Sequence, residues 1–257
     1  MLPQFTNPYL NLLREIATTR FKLKDQSTFF GFIWSFLNPI LMLVILFAVF
    51  KFRVGQEIEN YAIYLLIGVV QYTHFSNTTG GSMGVLCSMG PLTSDTIFPK
   101  EVLVIGSVVA NTIELVFSLI FCLIIAFFTG LQLSWATLFL PVVILMQVLF
   151  VMWVSLLLSC IYVYVRDLRH IYQVFLRMLF FITPIFYLPS FVGDGLGKYI
   201  VQLNPLTHLM QFSRTLIIDG APLPLDVLFL FFAAQVVMVY FCLFIFRKLE
   251  PTFAEHL

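Results

Sequence analysis

A chain of 257 residues offers few groups that could do chemistry. Gly193-Asp194-Gly195-Leu196-Gly197-Lys198 has the look of a loop whose N–H groups and lysine cradle a nucleotide's phosphates. The pattern fails, because its first glycine would stand at Val192 and the residue after Lys198 is Tyr199 rather than serine or threonine. The stretch reads as a glycine turn, and ATP hydrolysis is not expected on this chain. His74, His170, His208 and His256 are scattered, with no metal-ligand spacing, and no nucleophile elbow or paired catalytic carboxylates appear. Cys87, Cys122, Cys160 and Cys242 lie in or beside apolar runs and form no CxxC pair. No catalytic residue, metal, disulfide or cofactor is expected on the chain.

What remains is a cation in an apolar run. The charged turn Val165-Arg166-Asp167-Leu168-Arg169-His170 leads into Ile171–Tyr187, which carries Arg177 among Tyr172, Phe175, Phe180, Phe181, Phe186 and Tyr187. The composition makes this a membrane problem. The chain is 60% hydrophobic and 11% charged, with a mean hydropathy of +0.99, against about 45–50% apolar and 25% charged for soluble domains. A guanidinium inside a hydrocarbon span costs about 2.5–3.5 kcal/mol on insertion scales unless it meets water or a partner. The segment is therefore expected to face something polar within the bilayer. Glu114, roughly 18 Å into its own span at 1.5 Å per residue, is the other intramembrane charge, supported by Asn38, Asn111, Gln147 and Gln173. Whether Glu114 and Arg177 pair, and whether they fix register or line a path, stays open.

The elements that must position these groups read as an all-α integral membrane protein. A span needs about 20 apolar residues, and six candidates follow one another: Phe29–Phe50, Tyr61 to about Leu86, Val102–Phe128, Leu138–Tyr164, Ile171–Tyr187 and Leu225–Phe246. The second is the most polar, and its later half (Ser76 to Ser82) is expected to lie against neighbours or water. Before the spans, Asn7-Pro8 starts an amphipathic helix within residues 1–28, too polar to cross and suited to the membrane surface. Ten basic residues (Arg14, Arg20, Lys22, Lys24, Lys100, Arg166, Arg169, Arg177, Arg247, Lys248) fall on the side of the termini, against four (Lys51, Arg53, Lys198, Arg214) opposite. That bias puts both termini in the cytoplasm. The basic start and short apolar run of a cleavable signal peptide are not found, and no nucleic-acid partner is expected.

Two connections are more than turns. Residues 90–100, bracketed by Gly90-Pro91 and Phe98-Pro99, have room for one short cytoplasmic helix bearing Asp95. The external segment 188–224 is longer than a structureless loop should be. Asn204-Pro205 starts a helix in it running to about Ile218, and its pieces are expected to dip into the outer leaflet under cover of protein or water. The tail 247–257 is short. Aromatic residues opening the first span (Phe29, Phe30, Phe32, Trp34, Phe36) flank a face of Gly31, Ser35, Asn38 and Met42. Rings beside a polar stripe suit stacking on sugar faces, although lipid contact and packing explain most membrane aromatics.

Five stretches, in order, resemble signatures of permeases of the ABC-2 export family. They are Phe30-Gly31-Phe32-Ile33-Trp34-Ser35-Phe36-Leu37-Asn38-Pro39, Phe98-Pro99-Lys100-Glu101, Arg166-Asp167-Leu168-Arg169-His170, Thr183-Pro184-Ile185-Phe186-Tyr187 and Leu203-Asn204-Pro205-Leu206. The likeness is strongest to transmembrane subunits of polysaccharide exporters for O-antigen and capsule. It implies a single domain over 1–257, with spans one to five within 29–187, external gate helices in 188–224 and span six at 225–246. It further implies a homodimer in the bacterial inner membrane with two ATP-binding cassette subunits docked below, and ATP and Mg on those partners. By that resemblance Leu92, Asp95, Phe98 and Lys100 belong to a coupling helix, and Asn204, Pro205 and Arg214 to the gate. Trp34, Asn38, Met42, Gln173, Arg177, Phe181 and Tyr187 line a channel for a lipid-linked glycan. Capsule or teichoic-acid export, a drug or small-lipid permease of the same fold, and an ion-coupled secondary transporter are the alternatives. The last predicts transport without an ATPase that depends on Glu114, and the lack of visible inverted repeats argues against it.

Overall fold

The helix at the centre of the bundle is the most polar of the expected spans. The structure is a computed structural model that describes residues 8–25, 31–88, 98–193 and 195–255; among these it is all-helical, with no strand. In chain order the helices are α1 (Pro8–Asp25), α2 (Gly31–Phe50), α3 (Tyr61–Met83), α4 (Val85–Ser88), α5 (Glu101–Phe128), α6 (Leu140–Tyr164), α7 (Leu168–Ile182), α8 (Leu196–Leu203), α9 (Pro205–Arg214) and α10 (Leu225–Leu249). Short 3-10 turns lead into α6 from Trp135 and follow α10 to Glu255, and one π-helical turn, Thr215–Asp219, extends α9.

Seventeen of the 23 residues of α3 are buried, against α2, α5, α6, α7 and α9. The physical reason is that amides and hydroxyls find partners inside a bundle that lipid does not offer. Gln71 donates to Ser213 Oγ on α9. Gln147 on α6 donates through Nε2 to the Gln71 carbonyl at 3.0 Å, with His74 Nδ1 at 3.3 Å. Thr78, Thr79 and Ser82 are buried as well, Ser82 in contact with Ser107 of α5 at 3.1 Å. The expectation for the later half of this span holds in both senses, since its other polar residues, Ser76, Asn77, Gly80 and Gly81, border a cavity.

Around α3 stand the strongly apolar helices. Three stretches among the described residues are long and apolar enough to cross a membrane: Glu101–Phe128, Trp135–Tyr164 and Leu225–Phe253. Leu37–Phe50 is a shorter apolar helix. α5 closes with Gly130 at a φ of +85° and the Leu131 N–H returning to the Ala126 carbonyl at 3.1 Å, a turn that satisfies a carbonyl left over at the helix end. α10 turns Phe229, Leu230, Val237, Tyr240, Phe241 and Phe244 outward, a face that only hydrocarbon or another apolar surface solvates well. The chain is a multi-pass membrane protein.

α1 lies along α5, with Ala17 buried and Tyr9, Leu12, Leu13 and Ile16 half-buried. A Cβ at Gly106 of α5 would come 2.7 Å from Ile16 Cγ2, so the glycine lets the two helices touch. Several boundaries move from their expected places. α3 stops at Met83, and Gly84 separates it from the one-turn α4. α7 begins three residues early, at Leu168, and ends at Ile182, because Pro184 has no N–H to give and forces Thr183 into an extended conformation with ψ of 133°. The expected helix from Pro205 is divided into α9 and the π turn.

Candidate functional site

α7 has three faces rather than two. Tyr172 and Leu176 are buried against the bundle. Ile171, Val174, Phe175 and Met178 are exposed and apolar. Between these faces, at helical spacing, run the exposed His170, Gln173, Arg177 and Phe181, with Arg169 beside them. A lipid-facing helix has no use for the third face, since Arg177 there would pay the full cost of entering hydrocarbon. An exposed apolar sector beside an exposed polar one is the arrangement that a wall between lipid and water would need.

Two tyrosines clip this wall to α3 in reciprocal directions. Tyr72 of α3 donates to the Leu176 carbonyl of α7, and Tyr172 of α7 donates to Thr79 Oγ1 of α3 at 2.6 Å. Tyr72 also meets Phe180 edge-on, with centroids 5.1 Å apart. At 15 residues α7 is about 22 Å long, shorter than the roughly 30 Å hydrocarbon core, so irregular backbone continues its course.

That backbone and the last two residues of α7, together residues 181–187, are held at every carbonyl. Tyr187 Oη donates to Ile182 O at 2.6 Å and Phe181 O at 3.2 Å, and the Ile185 N–H turns back to Thr183 O. Arg214 donates through Nη1 to Pro184 O at 2.8 Å, through Nη2 to Ile185 O at 2.9 Å and Tyr64 O at 3.1 Å, and through Nε to Tyr64 O at 3.3 Å. Tyr61 Oη reaches Phe186 O at 2.9 Å and Tyr64 Oη reaches Tyr187 O at 2.7 Å. Non-helical backbone at membrane depth is tolerated only when its polar groups are satisfied in this way. The Arg214 guanidinium is buried flat on the Tyr64 ring, 3.4 Å from its centroid, so its charge is met by carbonyl dipoles and a π face. Gly68 leaves it room: a Cβ there would lie 2.7 Å from Nη2. Asn204 accepts from the Leu206 N–H at 3.0 Å, capping α9, and donates to the buried Thr183 Oγ1 at 2.8 Å.

Of the expected gate residues, Asn204 and Arg214 bond to the Thr183–Tyr187 stretch, and Pro205 is the first residue of α9. Of the expected channel residues, Gln173, Arg177 and Phe181 share the polar face of α7, and Tyr187 is half-buried with its hydroxyl engaged in the network. On α2, Asn38 is exposed in a stripe with Leu41, Ile45 and Val49, while Met42 turns in against the core. The side chain of Trp34 lies outside the described residues, as do Leu92 and Asp95. Phe98 is half-buried, and Lys100 is buried with its N–H donating to Glu250 Oε1 at 2.8 Å.

Glu114 is half-buried and Arg177 exposed, whereas the two most buried charges among the described residues are Arg214 and Glu101. Arg214 was legible in one respect, because it falls with Leu206, Met210 and Ile217 on the apolar face of its helix. Glu101 pairs with Arg247 Nε at 3.0 Å, a partner 146 residues away that no local pattern announces. Here the start of α5, the end of α10 and the docked α1 meet. Burial and the nearby Glu101 carboxylate push the Tyr9 phenol above its ordinary range, against the pull of Arg247.

Comparison with known proteins agrees with this architecture. Residues 12–218 match the family described as ABC-2 type transporter. The chain is 29% identical over 248 residues to the O-antigen export system permease protein RfbA of Myxococcus xanthus, covering 96% of this chain and 95% of that one. Two proteins of the same description from Klebsiella pneumoniae are each 25% identical, one over 246 residues and one over 247, with 95% of this chain and 94% of theirs covered. With more than three-quarters of its length inside the family match, the chain belongs to the ABC-2 type transporter family.

Proposed function

We propose that the chain is the channel-forming permease subunit of an ATP-driven exporter that moves a lipid-linked polysaccharide of O-antigen type across the bacterial inner membrane. The observation that carries the reading is the polar face of α7, His170, Gln173, Arg177 and Phe181, exposed on an isolated protomer yet flanked by a lipid-compatible face. Two protomers facing each other across this surface enclose a wet path between them. The similarity to O-antigen export permeases supports the class of cargo. ATP and Mg2+ belong to two separate ATP-binding subunits, docked where Phe98 and Lys100 emerge, on the cytoplasmic side with both termini. The Tyr61 end of α3, with Arg214 and α9, then faces outward. The remaining helices α2, α3 and α7 with its continuation complete six spans. In the path, Asn38, Gln173 and Arg177 exchange hydrogen bonds with sugar hydroxyls while Phe181 stacks on sugar faces. Many weak contacts of this kind allow a polymer to advance.

Two measurements test the reading. Single cysteines at Gln173, Arg177 and Phe181 should react with a membrane-impermeant thiol reagent in assembled exporter, and those at Val174 and Met178 should not. A uniformly silent segment removes the channel wall. Co-expression with the partner ATPase should restore surface glycan to a deletion strain, and a chain that neither binds an ATPase nor alters surface glycan is not this permease.

A further inference from the structure

Between the Met83 end of α3 and the first turns of α7 lies a cavity of about 460 Å3 that the packing just described does not use. Its α3 wall is Ser76, Asn77, Gly80, Gly81 and Met83, and its α7 wall is Arg169, Tyr172, Gln173 and Leu176. Adjacent glycines weaken a helix relative to alanine. At Gly68 and Gly106 the loss has a reason, since a Cβ would collide with a neighbour. At Gly80 and Gly81 a Cβ would meet nothing within 4 Å. Close packing within the protomer does not require them; they keep a trough open.

The trough is lined by hydrogen-bond donors. Arg169 supplies a guanidinium, Asn77 and Gln173 supply amides and Ser76 a hydroxyl, and none of the nine described lining residues is acidic. The guanidinium of Arg169 lies over the Tyr162 ring, 5.3 Å from its centroid. That contact and the bare backbone of Gly84, where a Cβ would lie 2.5 Å from Nη2, orient the group, and among the described residues its N–H groups have no hydrogen-bond acceptor. Tyr172, also on the wall, has its hydroxyl engaged with Thr79.

We propose that this trough binds a phosphate group, with Arg169 as its principal donor and Asn77 and Gln173 holding the hydroxyl-bearing part beside it. A guanidinium fork matches two phosphate oxygens. A primary amide both donates to and accepts from a sugar hydroxyl. A phosphate with a lipid on one side and a sugar on the other presents these chemistries in that order, so the trough is where such cargo is first held. This rests on the glycan-export reading. The same phosphate chemistry can arrive on a free anion or a membrane phospholipid.

The full-length chain in phosphatidylcholine nanodiscs, titrated with farnesyl diphosphate, farnesol and inorganic pyrophosphate, tests the site. Farnesyl diphosphate should bind, and Arg169→Gln should weaken it about tenfold or more, the scale of a lost charge-assisted bond. Gly80→Leu should fill the trough and abolish binding, and Lys51→Gln should leave it unchanged. Arg169→Lys, which keeps the charge and loses the fork, should fall between; it replaces the glutamine variant if that one fails to fold by its unfolding midpoint. Pyrophosphate binding as tightly as its farnesyl ester assigns the phosphate site to a free anion. Competition by added phosphatidylglycerol assigns it to a phospholipid headgroup. Farnesol matching farnesyl diphosphate, or diphosphate binding unmoved by both the Arg169 and Gly80 substitutions, overturns the site. Because binding is read without export, that result beside intact surface glycan sinks the subsite and spares the permease reading.

Discussion

Arg214 shows how a membrane protein keeps a buried charge without an acid. Four N–H···O contacts to three carbonyls and the face of Tyr64 stand in for a carboxylate. Arg214→Ala should cost about 2 kcal/mol or more, since it leaves the buried carbonyls of Pro184 and Ile185 without their donor, read as a lower unfolding midpoint in detergent. Arg214→Lys should recover only part of the loss, because one ammonium cannot span the fork. Gly68→Ala should mimic the deletion by displacing the guanidinium. An alanine variant at either position with unchanged stability would show that the network is incidental. The sequence places Arg214 among the external basic residues, and only its register with Leu206 and Met210 hints at burial. The three acceptors are backbone groups from two distant segments, and no residue pattern encodes a carbonyl's availability.

At the scale of elements, two joints set how helices move together. The Glu101–Arg247 pair ties α5 to α10 just where the chain leaves the segment before Phe98. Its members are unequal: the Glu101 side chain is 2% exposed and that of Arg247 64%. Solvent screens the arginine, so the pair itself is worth little. Removing the arginine strands a buried carboxylate, and removing the carboxylate leaves a solvated cation. Arg247→Ala should therefore destabilise more than Glu101→Gln, and the double variant should regain part of the loss. Equal single effects that add would mean the pair is not coupled. The second joint is the Tyr72–Tyr172 clip. Replacing both with phenylalanine should remove about 1 kcal/mol per bond and raise amide exchange along α7 more than along α6. Most of this level was legible in the sequence. The apolar runs and the cap and proline at Asn204-Pro205 are local signals that reappear as elements, whereas the expected fifth span runs past Pro184 to Tyr187 and the helix ends at Ile182. What periodicity could not give was the sorting of α7 into three faces, because the division between lipid and water depends on which side α3 occupies.

On the proposed reading, the whole molecule is completed by a second protomer. A polar sector on α7 and an apolar sheath on α10 are both exposed, and one bilayer solvates only the second. Native mass spectrometry from nanodiscs should find two copies, and a transport-competent exporter containing one would refute the paired channel. Composition fixed the membrane class, and the central place of the most polar span follows from the need of amides and hydroxyls for partners. The proposed assembly leaves no such trace, for a wet face and a buried one use the same residues. One consequence reaches past a single molecule. The stretch from Phe181 to Tyr187 is gripped by its carbonyls, and every amino acid carries a carbonyl. For hydrogen bonding, the segment is free to drift in sequence except at Thr183 and Tyr187, whose own side chains take part, while selection falls on the side chains that grip: Tyr61, Tyr64, Tyr187 and Arg214.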